Sequence, residues 1–202
     1  MSEASQFERL VEVMRTLRTG CPWDAEQTHL SLVTYLVEET LEVVDAIETG
    51  DDESLLEELG DLLLQVVFHA QIASETGRFD IEDVSAHIAD KLIARHPYVY
   101  AGSEMPADLM ESWEQRKVRE KGRTSVLDGI PARMSALSRA AKVLGRAGRL
   151  GHSLEELGVE PAGVPPEQIG TELVRLAAEA QAAGLDPEQE ARTALREIEK
   201  RL

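Results

Sequence analysis

Apolar positions recur at helical spacing through most of the chain, and no stretch alternates with the period of two that a strand requires. Phe7, Leu10, Val11, Met14 and Leu17 mark one face of a first amphipathic helix over 3–18, broken by Gly20, Cys21 and Pro22. Asp24 and Gln27 have the spacing of a capping box for a short helical segment. Leu32, Tyr35, Leu36, Leu41, Val44 and Ile47 predict a long helix from about 32 to 49, with Gly50 and Asp51 as its stop. A second long helix is expected over 54–76, ending at Gly77. A third starts at Asp80 and Asp83 and runs to Arg95, where Pro97 ends it. Further helices are expected at 109–121, 133–149, 171–183 and 187–201, with a connector at 122–131 and a Gly- and Pro-containing linker at 158–170. The pattern predicts an all-α protein, a helical bundle built around an antiparallel hairpin.

Composition narrows this little further. The 202 residues are 43% hydrophobic, enough for one good core or one core and a small appendage. The first ten residues lack the apolar and basic features of a secretory leader, and no apolar run is long enough to span a bilayer. With Cys21 as the single cysteine, no intrachain disulfide is possible, and a cytoplasmic location without membrane attachment is the expectation. A net charge of −17 disfavours a nucleic-acid polymer as partner.

The distribution of charge says more than its sum. Residues 19–77 contain no Lys or Arg, whereas 113–149 hold ten against three acids. Within the acidic half lies Glu38-Glu39-x-x-Glu42, followed by Glu58-x-x-Asp61. Residues three apart share a helix face, so Glu39 pairs with Glu42 and Glu58 with Asp61. Glu42 lies eight residues before Gly50 and Glu58 eight after; Glu39 lies eleven before and Asp61 eleven after. In an antiparallel hairpin turning at Gly50, both pairs therefore sit at matching heights, about 12 and 16 Å from the turn at 1.5 Å per residue. Acidic helices often carry one such pair by chance; two pairs mirrored about a turn bring four carboxylates together. That convergence is unfavourable without a cation, and an all-oxygen site suits Mg²⁺, with Mn²⁺ a possible substitute. A di-iron site would need Glu-x-x-His on two helices, and only Glu26-x-x-His29 has that spacing.

These motifs, in order with Gly20-Cys21-Pro22-Trp23-Asp24, Gly60-Asp61-Leu62-Leu63, Gly77-Arg78-Phe79-Asp80, Arg95-His96-Pro97 and Trp113-Glu114-x-x-Lys117, make residues 5–150 resemble the MazG family of nucleoside triphosphate pyrophosphohydrolases. The resemblance implies Mg²⁺-dependent cleavage between the α- and β-phosphates of NTPs and dNTPs with broad base tolerance. It also implies a homodimer or higher assembly, in which dimerisation completes the bundle. By position, Glu39, Glu42, Glu58 and Asp61 would be the metal ligands. Glu38 would orient or deprotonate the attacking water, and Arg95 and Lys117 would contact the phosphates. Many members have two arginines before His-Pro, and here the first of those positions is Ala94. Arg95 and Lys117 could instead be ordinary surface ion pairs. Trp23 either stacks on a base or packs as an aromatic at a helix start, and the apolar run 62–68 either crosses the bundle centre or forms a dimer interface. A hydrolase specific for one modified or deoxy nucleotide and a non-catalytic helical interaction module are the alternatives.

Residues 170–202 echo 60–96, with Gly170 matching Gly60 but Thr171 replacing Asp61. Many members of the family resemble a tandem of two such domains, and chance likeness between two Ala- and Leu-rich helices is the competing reading. The expected organisation is a catalytic helical domain at 1–121, a connector and helix at 122–157, and a degenerate helical repeat at 158–202.

Overall fold

The computed structural model describes residues 5–105 and 125–202, and these contain helices and turns with no strand. They fall into two compact units divided after Met105. The helix expected at 109–121 lies outside the described residues.

In the first unit, α1 (Gln6–Gly20) opens with a capping box. Ser5 Oγ accepts the Glu8 N–H at 3.1 Å and the Glu8 carboxylate accepts the Ser5 N–H at 2.6 Å, which satisfies two N–H groups that a helix start leaves orphaned. The short α2 (Pro22–Glu26) follows at once, with Cys21 closing one helix and opening the next. The capping box expected at Asp24 and Gln27 does not form. Pro22 sets the first helical φ without needing a donor, so the helix starts three residues earlier, with Cys21 rather than Asp24 at the N-cap, and Gln27 instead ends it.

The hairpin is α3 (Val33–Thr49) and α4 (Asp52–Ser74). Gly50 sits in the left-handed region at φ 71, and the Gly50 and Asp51 N–H groups both return to the Ala46 carbonyl, at 3.1 and 3.2 Å. The side chain of Asp51 then caps α4 by accepting the Glu53 and Ser54 N–H groups at 3.0 and 3.2 Å. Two residues thus stop one helix and start the next, and the two helices make the most extensive contact among the described residues. α5 (Ile81–Arg95) begins with a reciprocal Asp80–Asp83 capping box, and α6 (Pro97–Tyr100) is a single turn. Met14, Leu32, Val67, Phe68, Ala70, Ile72 and Ile81 form the core of this unit. The run 62–68 therefore faces the core through Val67 and Phe68, while Leu63 and Val66 stay exposed. Arg18 fastens the periphery with a bidentate pair to Glu75, at 2.8 Å from Nε and 2.5 Å from the second guanidinium nitrogen, and a further bond to the Gln27 carbonyl.

In the second unit, α7 (Ala136–Arg149) is capped by Ser135, three residues later than the apolar pattern suggested. After a 3₁₀ turn at Pro166–Gln168 come α8 (Ile169–Ala182) and α9 (Pro187–Glu199). α7 packs on α9 through Val143 and Leu195, and Val126, Ala147 and Leu157 make a second small core. Among the described residues no helix is long and apolar enough to cross a membrane.

Candidate active site

The hairpin delivers the mirrored pairs to one place. Carboxylate oxygens of Glu39 on α3 and of Glu58 and Asp61 on α4 lie within 4.8 Å of one another, and all three residues are partly buried. Glu42, more exposed, is the fourth member, since its side chain hydrogen-bonds to that of Glu39 and its charge acts on both Glu39 and Glu58. Glu39 is pushed above the ordinary carboxylate range by desolvation first, then by the charge of Asp61, the hydrogen bond to Glu42 and the charges of Glu42 and Glu58. Glu58 is raised too, by desolvation and then by Glu42, Glu57 and Asp61. The charged forms oppose one another and no cation of the described residues intervenes at this cluster. The donor set, oxygens only from carboxylates at ligand distance of one point, fits a hard divalent ion.

The remaining predicted residues sit differently. Glu38 is exposed on α3, next to Glu39 in sequence but about 100° round the helix from it. Trp23 is half exposed on α2, its indole meeting the Tyr35 ring edge-on at 5.8 Å and 80°. Tyr35 lies one turn before Glu39, so the aromatic pair flanks the acidic end of α3. Arg95 closes α5 and is only 5% exposed, too buried for an ordinary surface ion pair. Lys117 lies outside the described residues.

A second polar cluster was not expected. The His29 and His69 rings stack 5.0 Å apart with their Nδ1 atoms at 2.7 Å, and an Arg78 guanidinium nitrogen lies 2.7 Å from His29 Nε2. Arginine can only donate, so His29 Nε2 accepts. The His29 proton is then on Nδ1 and is donated to His69 Nδ1, which leaves the His69 proton on Nε2. That nitrogen is buried and has no partner among the described residues, and the same holds for Gln65 Oε1 one turn earlier. Asp61, Gln65 and His69 form one stripe at four-residue spacing, a signal present in the sequence, where Gln65 was read only as a break in the apolar run 62–68.

Comparison with known proteins places this geometry. The model of the MazG nucleotide pyrophosphohydrolase domain matches residues 27–100. An uncharacterised 26.1 kDa protein from the blaB 3′ region of Streptomyces cacaoi is 45% identical over 194 residues, covering 92% of this chain and 76% of that protein. The chain belongs to the MazG family. The nucleoside triphosphate pyrophosphohydrolase of Escherichia coli K12 is 47% identical over 162 residues, 76% of this chain and 62% of its own length. The nucleoside triphosphate pyrophosphohydrolase/pyrophosphatase MazG of Thermotoga maritima is 45% identical over 174 residues, 84% of this chain and 66% of its own. The chain thus spans a little under two thirds of the length of these two relatives. The MazG match takes in the hairpin, all four clustered carboxylates, Tyr35, the histidine pair and Arg95, whereas Trp23 and Lys117 fall outside it.

Proposed function

We propose that this chain hydrolyses nucleoside triphosphates to the monophosphate and pyrophosphate, with Mg²⁺ held by Glu39, Glu42, Glu58 and Asp61. The observation that carries the reading is the gathering of acidic oxygens from two helices within 4.8 Å, with Glu39 and Glu58 held above their ordinary range by desolvation first and then by neighbouring carboxylates. A divalent ion bound there neutralises the carboxylates, lets a polyanion approach and polarises the phosphoryl oxygens.

The chain's own residues supply the rest. Glu38, exposed beside the cluster, accepts a proton from the water that attacks the α-phosphorus. The bond broken joins the α-phosphorus to the oxygen bridging to the β-phosphate, and that oxygen leaves with pyrophosphate. Arg95 and Lys117 bind the departing phosphates, and Trp23, braced on Tyr35, offers an exposed face to the base. A stacking contact reads little of the base's edge, which supports tolerance of several bases and of both sugars. With such a substrate, the location we propose is the cytoplasm.

We also propose a homodimer or higher assembly. Leu41, Val44 and Ile47 on α3 and Leu56, Leu59 and Leu63 on α4 are all more than a third exposed, an apolar face too large for a lone surface. The C-terminal helices are a worn copy of α4 and α5. Both connections place a glycine at positive φ, Gly77 at 65 and Gly184 at 74, and return the next N–H to a carbonyl five residues back, Arg78 to Ala73 and Leu185 to Ala180. Each then caps the following helix with an aspartate, Asp80 or Asp186.

The deciding experiment incubates the protein with NTPs and dNTPs and Mg²⁺ and resolves products by chromatography. Monophosphate and pyrophosphate should appear in equal amounts; diphosphate with orthophosphate as main products would overturn the reading.

A further inference from the structure

In the second unit, α7 and α9 enclose a cavity of about 140 Å³ lined by Ala132, Arg139, Arg192, Leu195, Arg196 and Glu199. Three guanidinium groups at one small hollow are unusual in a chain of net charge −17. Their counter-charges are already engaged. Glu199 pairs with Arg139 at 2.7 Å, both groups largely buried. Glu188 pairs with Arg192 at 2.7 Å while its oxygens also accept the Ala136 N–H, at 2.8 and 3.0 Å, at the start of α7. Arg139 and Arg192 are further aimed by backbone carbonyls, Arg139 by Ile130 and Pro131 at 3.3 Å and Arg192 by Ala132 at 3.4 Å. Arg196 makes no ion pair among the described residues. One arginine in the last turn of a helix is accounted for by the helix dipole. That does not account for Arg192 and Arg196 one turn apart on α9 at a hollow also lined by Arg139 from α7, where Glu199 and Glu188 balance two of the three and leave one positive charge in excess.

We propose that this cavity is an oxyanion subsite for a phosphate-type group, either a free phosphate or pyrophosphate or the phosphate end of a nucleotide. Planar N–H forks match phosphate oxygens in pairs, and Leu195, which is 4% exposed, gives the hollow an apolar floor that strengthens the contact. The subsite is built entirely from residues of the second unit and does not depend on the hairpin chemistry.

The test uses the full-length protein in EDTA, so that the acidic cluster carries no metal to attract anions. Arginine Nε–H signals are followed by ¹H–¹⁵N NMR during titration with pyrophosphate, inorganic phosphate and a nucleoside monophosphate. Saturable shifts of the Arg192 and Arg196 signals are expected, with binding weakened at least about tenfold in Arg196→Gln, which breaks no ion pair, and further in Arg192→Gln/Arg196→Gln. A response to pyrophosphate or phosphate alone assigns the site to free anions, and an equal response to the monophosphate assigns it to nucleotides; both support the subsite. Identical shifts with chloride at matched ionic strength, or unchanged pyrophosphate affinity in the double variant with an otherwise native spectrum, would refute it.

Discussion

The carboxylates are where single atoms decide most. Glu42→Gln and Glu58→Gln keep side-chain shape and remove one charge from the cluster. Turnover should fall by more than the roughly 10- to 100-fold typical of outer-shell partners of a metal. Without metal, neither variant should melt earlier than wild type, because a repulsion is relieved. Mg²⁺ should raise the wild-type melting temperature, by an amount worth about 2.7 kcal/mol at a hundredfold excess over its Kd, and should raise that of the variants much less. Near-normal turnover in either variant would dismiss the four-carboxylate site. The histidine pair gives a separate prediction. Burial first, and then the neighbouring His29, hold His69 below the ordinary histidine value. A base depressed in the fold takes its proton more readily unfolded, so its contribution to stability is present above about pH 6.5 and is lost as pH falls through that value. Thermal melts from pH 7.5 to 5 should therefore slope downward, and His69→Gln should flatten the slope. An unaltered slope would mean the stacked pair carries no such linkage.

Among the elements, the turn at Gly50 and Asp51 matters most. Gly50→Ala forces a side chain into the left-handed region, at a cost of about 1 kcal/mol. Nothing lies within 4 Å of the added Cβ, so the loss is conformational rather than steric. Differential scanning calorimetry should show a lower melting temperature with unchanged site chemistry at low temperature; a stability equal to wild type would mean the turn relaxes to negative φ. This hairpin was readable in the sequence because every signal for it is local: three-residue spacing, a glycine stop, an aspartate cap. The start of α2 was misread because proline at the first helical position needs no side-chain cap, so the Asp24–Gln27 spacing was coincidental. The His29–His69 contact joins residues forty positions apart, and no local periodicity announces it. Tyr35 was read only as one apolar position of a long helix, and its 40% exposure and its contact with Trp23 depend on the placement of α2, which helical spacing does not give.

At the level of the whole molecule, the two units set where the chain can be shortened. α7 packs on α9, so ending the protein near Gly151 would uncover Val143 and Ala147, which are fully buried. Ending it after Thr124 removes the described residues of the second unit and keeps Lys117. The shorter chain should retain metal-dependent hydrolysis with little change in KM. Folded but inactive protein would show that residues 125–202 contribute to catalysis. Full-length Glu42→Gln protein should show no residual activity that this truncation abolishes, because Thr171, the residue aligned with Asp61, offers no anionic oxygen.

The symmetry of the acidic pairs about Gly50 makes the hairpin a ruler with a helical scale. One residue inserted between Glu42 and the turn, or between the turn and Glu58, carries one pair about 100° round its axis and 1.5 Å along it, out of reach of the other. An insertion of seven restores the phase to within about 20° but lengthens one arm by about 10 Å, so only matched changes on both sides preserve the meeting point. Drift in this stretch is therefore confined to substitution, and a change of length on one arm must be answered by an equal change on the other.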